Sequence, residues 1–297
     1  MARFKRPRDV PRRLKAFLYG PAKVGKTTAA VQCPNAALID SERGTDHYKD
    51  LMAKSDAVVF QTTDLDEVIE SVKELIADPG DRLSIVIDPI TPIYSQALDD
   101  AAIQLVADAR RKGTSGDPLA FGRHYGVANN KMKRLVNLLM VLDMNVIVTA
   151  HQKDVYGDDM KTTGFTFDGW KKLDYVFDLI LRLEKSGKGA KAKREAHVVG
   201  SRIKEFPTDE HFEWSFAELS ARYGNDLTRT PKKIKLATAA NLKVFNELLA
   251  QLTPEERVRL GIDKALKGVD DLSDLENDRI QKGIDLISKH LEKGATL

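Results

Sequence analysis

The stretch Gly20-Pro21-Ala22-Lys23-Val24-Gly25-Lys26-Thr27 constrains this chain more than any other. It fits the pattern G-x-x-x-x-G-K-[ST] and stands where that pattern has structural meaning, after the apolar run 14–19 and before a helical run 27–32 that Pro34 cuts off. Glycines at those positions let backbone amides face a phosphate, and the helix start adds the positive end of its dipole. Lys26 then reaches the β- and γ-phosphates, and Thr27 supplies a hydroxyl to Mg2+. Gly20, Pro21, Ala22, Lys23, Val24, Gly25, Lys26, Thr27 and the adjoining Thr28 are therefore expected to hold ATP with its Mg2+.

The rest of the chain supplies a setting for such a loop. Apolar runs at 36–40, 57–60, 83–87 and 146–150 alternate with helical patterns at 65–76, 92–110 and 127–142. Runs apolar on both faces belong to a mostly parallel sheet flanked by helices, so the expected class is α/β. Ile85-Val86-Ile87-Asp88 is a buried strand ending in a carboxylate, and Asp88 is expected to hold the hydrated metal opposite Thr27. Two later strands, 175–183 and 197–203, flank a polar turn bearing Lys185, Lys188, Lys191, Lys193 and Arg194 and read as a hairpin extending the sheet. Two irregular stretches remain, 111–126 and 152–172, long enough to be functional loops.

Four parts follow: a basic arm at 1–13, a core at 14–223, a basic linker at 224–238 with Pro231, Lys232, Lys233 and Lys235, and a small helical domain at 239–297. Thr253-Pro254-Glu255-Glu256 and Ser273-Asp274-Leu275-Glu276 fit the capping box, so helices are expected near 239–252, 254–266 and 274–293.

Charged residues make up 31% of the chain and hydrophobic ones 42%, an ordinary soluble composition. No apolar run reaches the roughly 18 residues of a membrane span, and the basic N-terminus lacks the hydrophobic stretch of a signal peptide, so a cytoplasmic protein is expected. Cys33 is the only cysteine, which excludes an internal disulfide, and the six histidines lack the spacing of a structural metal site. The net charge is only +3, yet residues 3–15 hold Arg3, Lys5, Arg6, Arg8, Arg12, Arg13 and Lys15 against Asp9 alone. That arm reads either as a phosphate contact or as a solvated tail.

The position after Asp88, where many ATPases of this kind carry a glutamate, is Pro89. The acid two residues past the second apolar run, in Ile39-Asp40-Ser41-Glu42, stands instead as it does in the RecA family, and the span 14–215 resembles a RecA-type ATPase core. More narrowly, Ile39-Asp40-Ser41-Glu42-Arg43-Gly44, Tyr125-Gly126 before a long helix, and Thr149-Ala150-His151-Gln152 resemble the small phage-encoded RecA-like ATPases of single-strand annealing recombination. The resemblance implies a RecA-like P-loop core with Glu42 as the base. It also implies Gln152 or His151 as the group that senses the γ-phosphate, and Arg202 and Lys204, from Gly200-Ser201-Arg202-Ile203-Lys204, as basic groups sent into a neighbour's ATP site.

It further implies a homo-oligomer, ring or filament, that binds single-stranded DNA through 111–126 and 152–172 in the host cytoplasm, alongside other recombination proteins. Those stretches carry Arg110, Arg111, Lys112, Arg123, His124 and Tyr125, and Lys153, Tyr156, Lys161, Phe165, Phe167 and Trp170, a mixture suited to tracking a backbone and stacking on bases. The last three aromatics would equally serve to anchor a loop to the core. Two other classes share the phosphate loop: a nucleotide or small-molecule kinase, for which no arginine-bearing lid is evident, and a DNA-binding module in which ATP is a structural ligand only.

Overall fold

The computed structural model describes residues 13–157, 161–187 and 192–294. Arg3, Lys5, Arg6, Arg8 and Arg12 of the basic arm, and Lys188 and Lys191 of the polar turn, lie outside the described residues.

Among the described residues nine strands form one sheet: β1 (Lys15–Gly20), β2 (Ala36–Asp40), β3 (Val58–Gln61), β4 (Ser84–Asp88), β5 (Asn145–Tyr156), β6 (Thr162–Asp168), β7 (Leu179–Ser186), β8 (Lys193–Ser201) and β9 (His211–Glu213), in the order β3-β2-β4-β5-β1-β7-β8-β9 with β6 paired to β5. From β3 through β7 in that order the pairing is parallel, while β6, β8 and β9 are added antiparallel. Helices cover both faces, which gives the α/β class with the mostly parallel sheet flanked by helices expected from the sequence.

Alternation along the buried strands divides the core in two. Phe17 and Tyr19 of β1 face a layer made by α3 (Leu65–Ala77), α4 (Ile90–Lys112) and α5 (Arg123–Val141), with Val68, Ile93 and Met132 packed into it. Ala16 and Leu18 face the other way, toward α1 (Lys26–Ala30), α2 (Lys49–Ser55) and α7 (Phe216–Tyr223), where Phe206, Phe212, Trp214 and Leu219 fill the space. With both faces covered, β1 and β4 are buried end to end, and the loops at their C-terminal ends become the exposed working edge. At the opposite edge the Lys15 ammonium donates to the carbonyls of Leu139, Leu142 and Met144 where α5 ends, and burial pushes its pKa down to about 7.

Several sequence expectations change. The run 57–60 reads as a strand buried on both faces, but β3 is the sheet's edge, with Val58, Val59 and Phe60 each more than two-fifths exposed. An apolar run does not say how many neighbours the strand finds. The stretch 152–172 is not irregular: β5 continues to Tyr156 and β6 returns along it, so the two form an arm projecting from the sheet. Within 111–126 only a short segment is irregular, because α4 runs to Lys112, Gly113 closes it in the left-handed conformation, and α5 begins at Arg123. The hairpin expected at 175–183 and 197–203 is displaced toward its turn. Its ladder pairs Lys185 with Arg194 and Ser186 with Lys193, since hydrogen bonding continues through polar residues that periodicity leaves out, and Tyr175 lies on α6 (Leu173–Val176).

Arg13, counted in the basic arm, is buried and committed to Asp143 at 3.1 Å and to the Arg229 carbonyl at 2.6 Å. In the basic segment before the helical unit, the Lys232 amide donates to Asp143, Lys233 pairs with Asp78 at 2.7 Å, and the Ile234 amide donates to the Ile76 carbonyl. Arg13 and Lys233 are thus already paired with acids of the core. The C-terminal helices are α8 (Ala239–Leu249), α9 (Pro254–Leu260), α10 (Ile262–Leu266) and α11 (Asn277–Gly294), closing on Phe245, Ile262, Ile280 and Ile287. Thr253 and Glu256 make the capping box read from the sequence. Ser273 does not: Asp271 caps a short 3-10 turn there, and the last helix starts only at Asn277. Arg134 of α5 holds this unit through Asp271 at 2.8 Å and Asp274 at 2.6 Å.

Candidate nucleotide-binding site

The phosphate loop owes its shape to two glycines. A Cβ on Gly20 would lie 2.5 Å from the Leu183 carbonyl, so only glycine lets the end of β1 come that close to β7. Lys23 (φ 61°) and Gly25 (φ 110°) then bend the backbone through left-handed conformations, the kind of turn that forms an anion-binding concavity. Because α1 has only five residues, its dipole is weak, and the loop amides and Lys26 must supply most of the positive field. Gly25→Ala is expected to destabilise the fold by roughly 1–3 kcal/mol. It should also abolish the rise in melting temperature that MgATP gives the parent protein, both read in one thermal-shift series.

Lys26 is buried at the loop's base and its Nζ donates to the carbonyls of Gly20 and Pro21, each at 2.8 Å. Burial lowers its pKa, against the raising influence of Asp88 and Glu42. Across from it, Asp88 ends β4 with its carboxylate buried, accepting hydrogen bonds from the hydroxyls of Thr149 and Thr27. Burial pushes the Asp88 carboxyl above its usual range, while those two hydroxyls and Lys26 oppose the rise. The carboxylate of Asp88 and the hydroxyl of Thr27 are hard oxygen donors beside a lysine, a set that would hold a hydrated Mg2+.

Glu42 is held by its neighbour rather than by burial. The Asp40 carboxylate, at the end of β2, accepts from the amides of Glu42 (3.1 Å), Gly44 (3.2 Å) and Thr45 (2.9 Å) and from the Thr45 hydroxyl (2.5 Å), winding the loop into a fixed turn. From that turn Glu42 reaches the His151 Nε2 at 2.9 Å, joining the loop after β2 to the middle of β5 across the cleft. The cleft has a volume of about 740 Å³, and Gly20, Pro21, Ala22, Lys23, Gly25, Lys26, Thr27, Thr28, Glu42, Asp88, His151 and Gln152 all line it. Val24 does not: its side chain is buried in the core beneath the loop, leaving only its backbone near the cleft.

Arg202 and Lys204, expected in a neighbour's ATP site, do not line the cleft of their own chain. β8 runs antiparallel to β7, so its last residues lie at the end of the sheet away from the phosphate loop, where Arg202 pairs with Asp178 at 3.2 Å and donates to the Tyr175 carbonyl. The same reversal brings the first residues of β8 to the working edge, and Arg194 lines the cleft. Sequence reading also missed His47 and Tyr48 on the cleft wall, Thr149 behind Asp88, and Asp40 as the organiser of the Glu42 turn. The strand-end aspartate two residues before Glu42 was the available signal for the last of these.

A phosphate loop at the switch between β1 and its neighbours, a buried carboxylate on β4 and a second acid on the β2 turn together define a P-loop ATPase. The sequence profile of a family described as an AAA domain matches residues 12–210, and the chain belongs to that family. Such a family implies nucleotide binding, typically with Mg2+. No curated protein matches the sequence. Among solved structures the chain is similar to a KaiC-like protein from the hyperthermophilic archaeon Pyrococcus horikoshii OT3, at 12% identity and a TM-score of 0.41 over 67% of this chain and 84% of that one. Among the described residues no helix is long and apolar enough to cross a membrane.

Proposed function

We propose that this ATPase binds single-stranded DNA as a homo-oligomer, ring or filament, and uses the state of its nucleotide to switch DNA affinity during recombination or single-strand annealing. The observation that supports this reading is the continuity of β5. The strand carries His151 and Gln152 on the cleft and then runs outward, paired with β6, to Lys153 and the exposed Tyr156. A residue that feels the terminal phosphate and a surface that meets DNA thus share one strand.

The arm's exposed side chains suit a polyanion with stackable bases. Phe165 is 44% exposed on β6, and the Arg182 guanidinium lies over its ring at 4.9 Å. Phe167 and Trp170 do not belong to that surface, being buried against the core as anchors. The start of α5 approaches the same region: Thr91 of α4 donates to the Asp168 carbonyl at the base of β6 at 2.6 Å, and Tyr94, one turn further on, donates to Asn129 of α5 at 2.9 Å. Phe121, held at φ 57°, is fully exposed there beside Arg123 and Tyr125. The exposed apolar edge at β3 offers a face for assembly.

In hydrolysis, Glu42 takes the proton from the attacking water, and Lys26 and the loop amides neutralise charge on the phosphates. The metal held by Thr27 and Asp88 would supply electrostatic stabilisation of the phosphate oxygens. Gln152 and His151 register whether the terminal phosphate is present, and the arm moves with them. Steady-state phosphate release with and without single-stranded DNA tests this reading. Stimulation that fades with salt is expected, with log affinity falling about 0.7 per phosphate contact for each tenfold rise in salt. Indifference to DNA, together with phosphate transfer to an added nucleoside, would replace it with a kinase.

A further inference from the structure

Arg194 stands apart from the other arginines that reach this sheet. Arg182 pairs with Glu184, Arg202 with Asp178, and Arg222 with both Glu210 and Glu218. Among the described residues the Arg194 guanidinium has no hydrogen bond and no ion pair, yet its side chain lies along the phosphate loop. Its Cδ and Nε are 3.2 and 3.4 Å from where a Cβ on Gly25 would be. The backbone that carries it is fixed twice, by the ladder that pairs it with Lys185 and by the Trp214 amide, which donates to the Arg194 carbonyl at 2.8 Å. Trp214 itself backs the loop, its Cδ1 3.8 Å from the same Gly25 position.

The strand order assigns this arginine a side of the nucleotide. β1 carries the phosphate loop; β5, β4 and β2, with Gln152, Asp88 and Glu42, lie to one side of it, and β7 and β8 lie to the other. A triphosphate whose terminal phosphate faces Glu42 and Asp88 therefore presents its inner phosphates to the β8 side. We propose that Arg194 is a binding residue of the chain's own site, its planar guanidinium donating to the α- and β-phosphate oxygens of the nucleotide and closing the loop from the side opposite Glu42. This rests on the ATPase reading and adds to it an arginine supplied by the same subunit, which recognises nucleoside di- and triphosphates alike.

A contact to the α- and β-phosphates exists before the chemical step, so its loss must appear in binding, and in turnover only through the extra charge that the β-phosphate gains as leaving group. Arg194→Ala is expected to weaken both MgATP and MgADP by about 10- to 100-fold, the range of a charge-assisted hydrogen bond. Its kcat should fall by less than its affinity does, and its melting temperature without nucleotide should not move, since the side chain is exposed. Arg194→Lys should recover part of the affinity, having the charge without the fork. Affinities are read by titrating a fluorescent ADP and a fluorescent ATP analogue, and kcat and KM from phosphate release. Unchanged affinity for both nucleotides in Arg194→Ala, or a kcat that falls while KM holds, overturns the proposal. A parent protein that binds neither nucleotide overturns the ATPase reading itself, and the two failures are told apart by the parent's own titration.

Discussion

Lys26→Ala should lower MgATP turnover by about 10³-fold or more and reduce nucleotide binding below detection in a titration that saturates the parent. The size of the effect follows from where the ammonium sits. It is buried at the base of the loop, its hydrogen bonds go to two loop carbonyls, and it faces Asp88 and Glu42 across the cleft. Its positive charge is therefore little screened by water, and its Coulomb interaction with a polyphosphate is worth several times its value on the surface. Losing one preorganised donor of this kind costs about 2.7–4 kcal/mol in well-studied sites, equivalent to 10²- to 10³-fold. The loop also loses the cation that offsets Asp88 and Glu42, so repulsion between those acids and the phosphates adds to the loss. Circular dichroism should show an intact fold, and phosphate release together with calorimetric titration measures the rest.

Glu42→Gln should separate binding from chemistry. The amide keeps the size and polarity of the side chain and can still contact His151, so the turn organised by Asp40 persists and MgATP affinity should stay within a few-fold of the parent. What it cannot do is accept a proton from water. Turnover should therefore fall by about 10²- to 10⁴-fold, the range a positioned base contributes. Single-turnover quench-flow reads the chemical step directly. A Glu42→Gln protein that turns over normally would move the base elsewhere, or would favour a module that holds ATP as a structural ligand.

The phosphate loop was legible because its constraints are local: glycines at fixed offsets, a lysine, a hydroxyl, a strand before and a helix after. Asp88 was legible because a fully buried apolar strand ending in an acid is itself a local pattern. Arg194 was not, since its place depends on which way β8 runs, and the direction of a paired strand is a property of the ladder rather than of the residues in it. For the same reason Arg202 and Lys204, expected in a neighbour's ATP site, lie at the end of the sheet away from their own chain's phosphate loop. The arm of β5 and β6 was hidden because its residues mix Lys153, Asp154, Thr166 and Phe165, a pattern without one apolar face, as suits a ribbon with solvent on both sides. Phe167 and Trp170 show the converse, since aromatic residues in a stretch that also carries basic groups can still point into the core.

ATPase function in this chain requires Mg2+ and a triphosphate to be gripped between the loop of β1 and the carboxylate at the end of β4. Isothermal titration of MgATP into the Glu42→Gln protein tests this most directly, because hydrolysis then adds no heat. Saturable binding with one nucleotide per chain is predicted, lost when Lys26→Ala is added and weakened when EDTA removes the metal. Heats that do not saturate, or that are the same with and without Lys26, would contradict it.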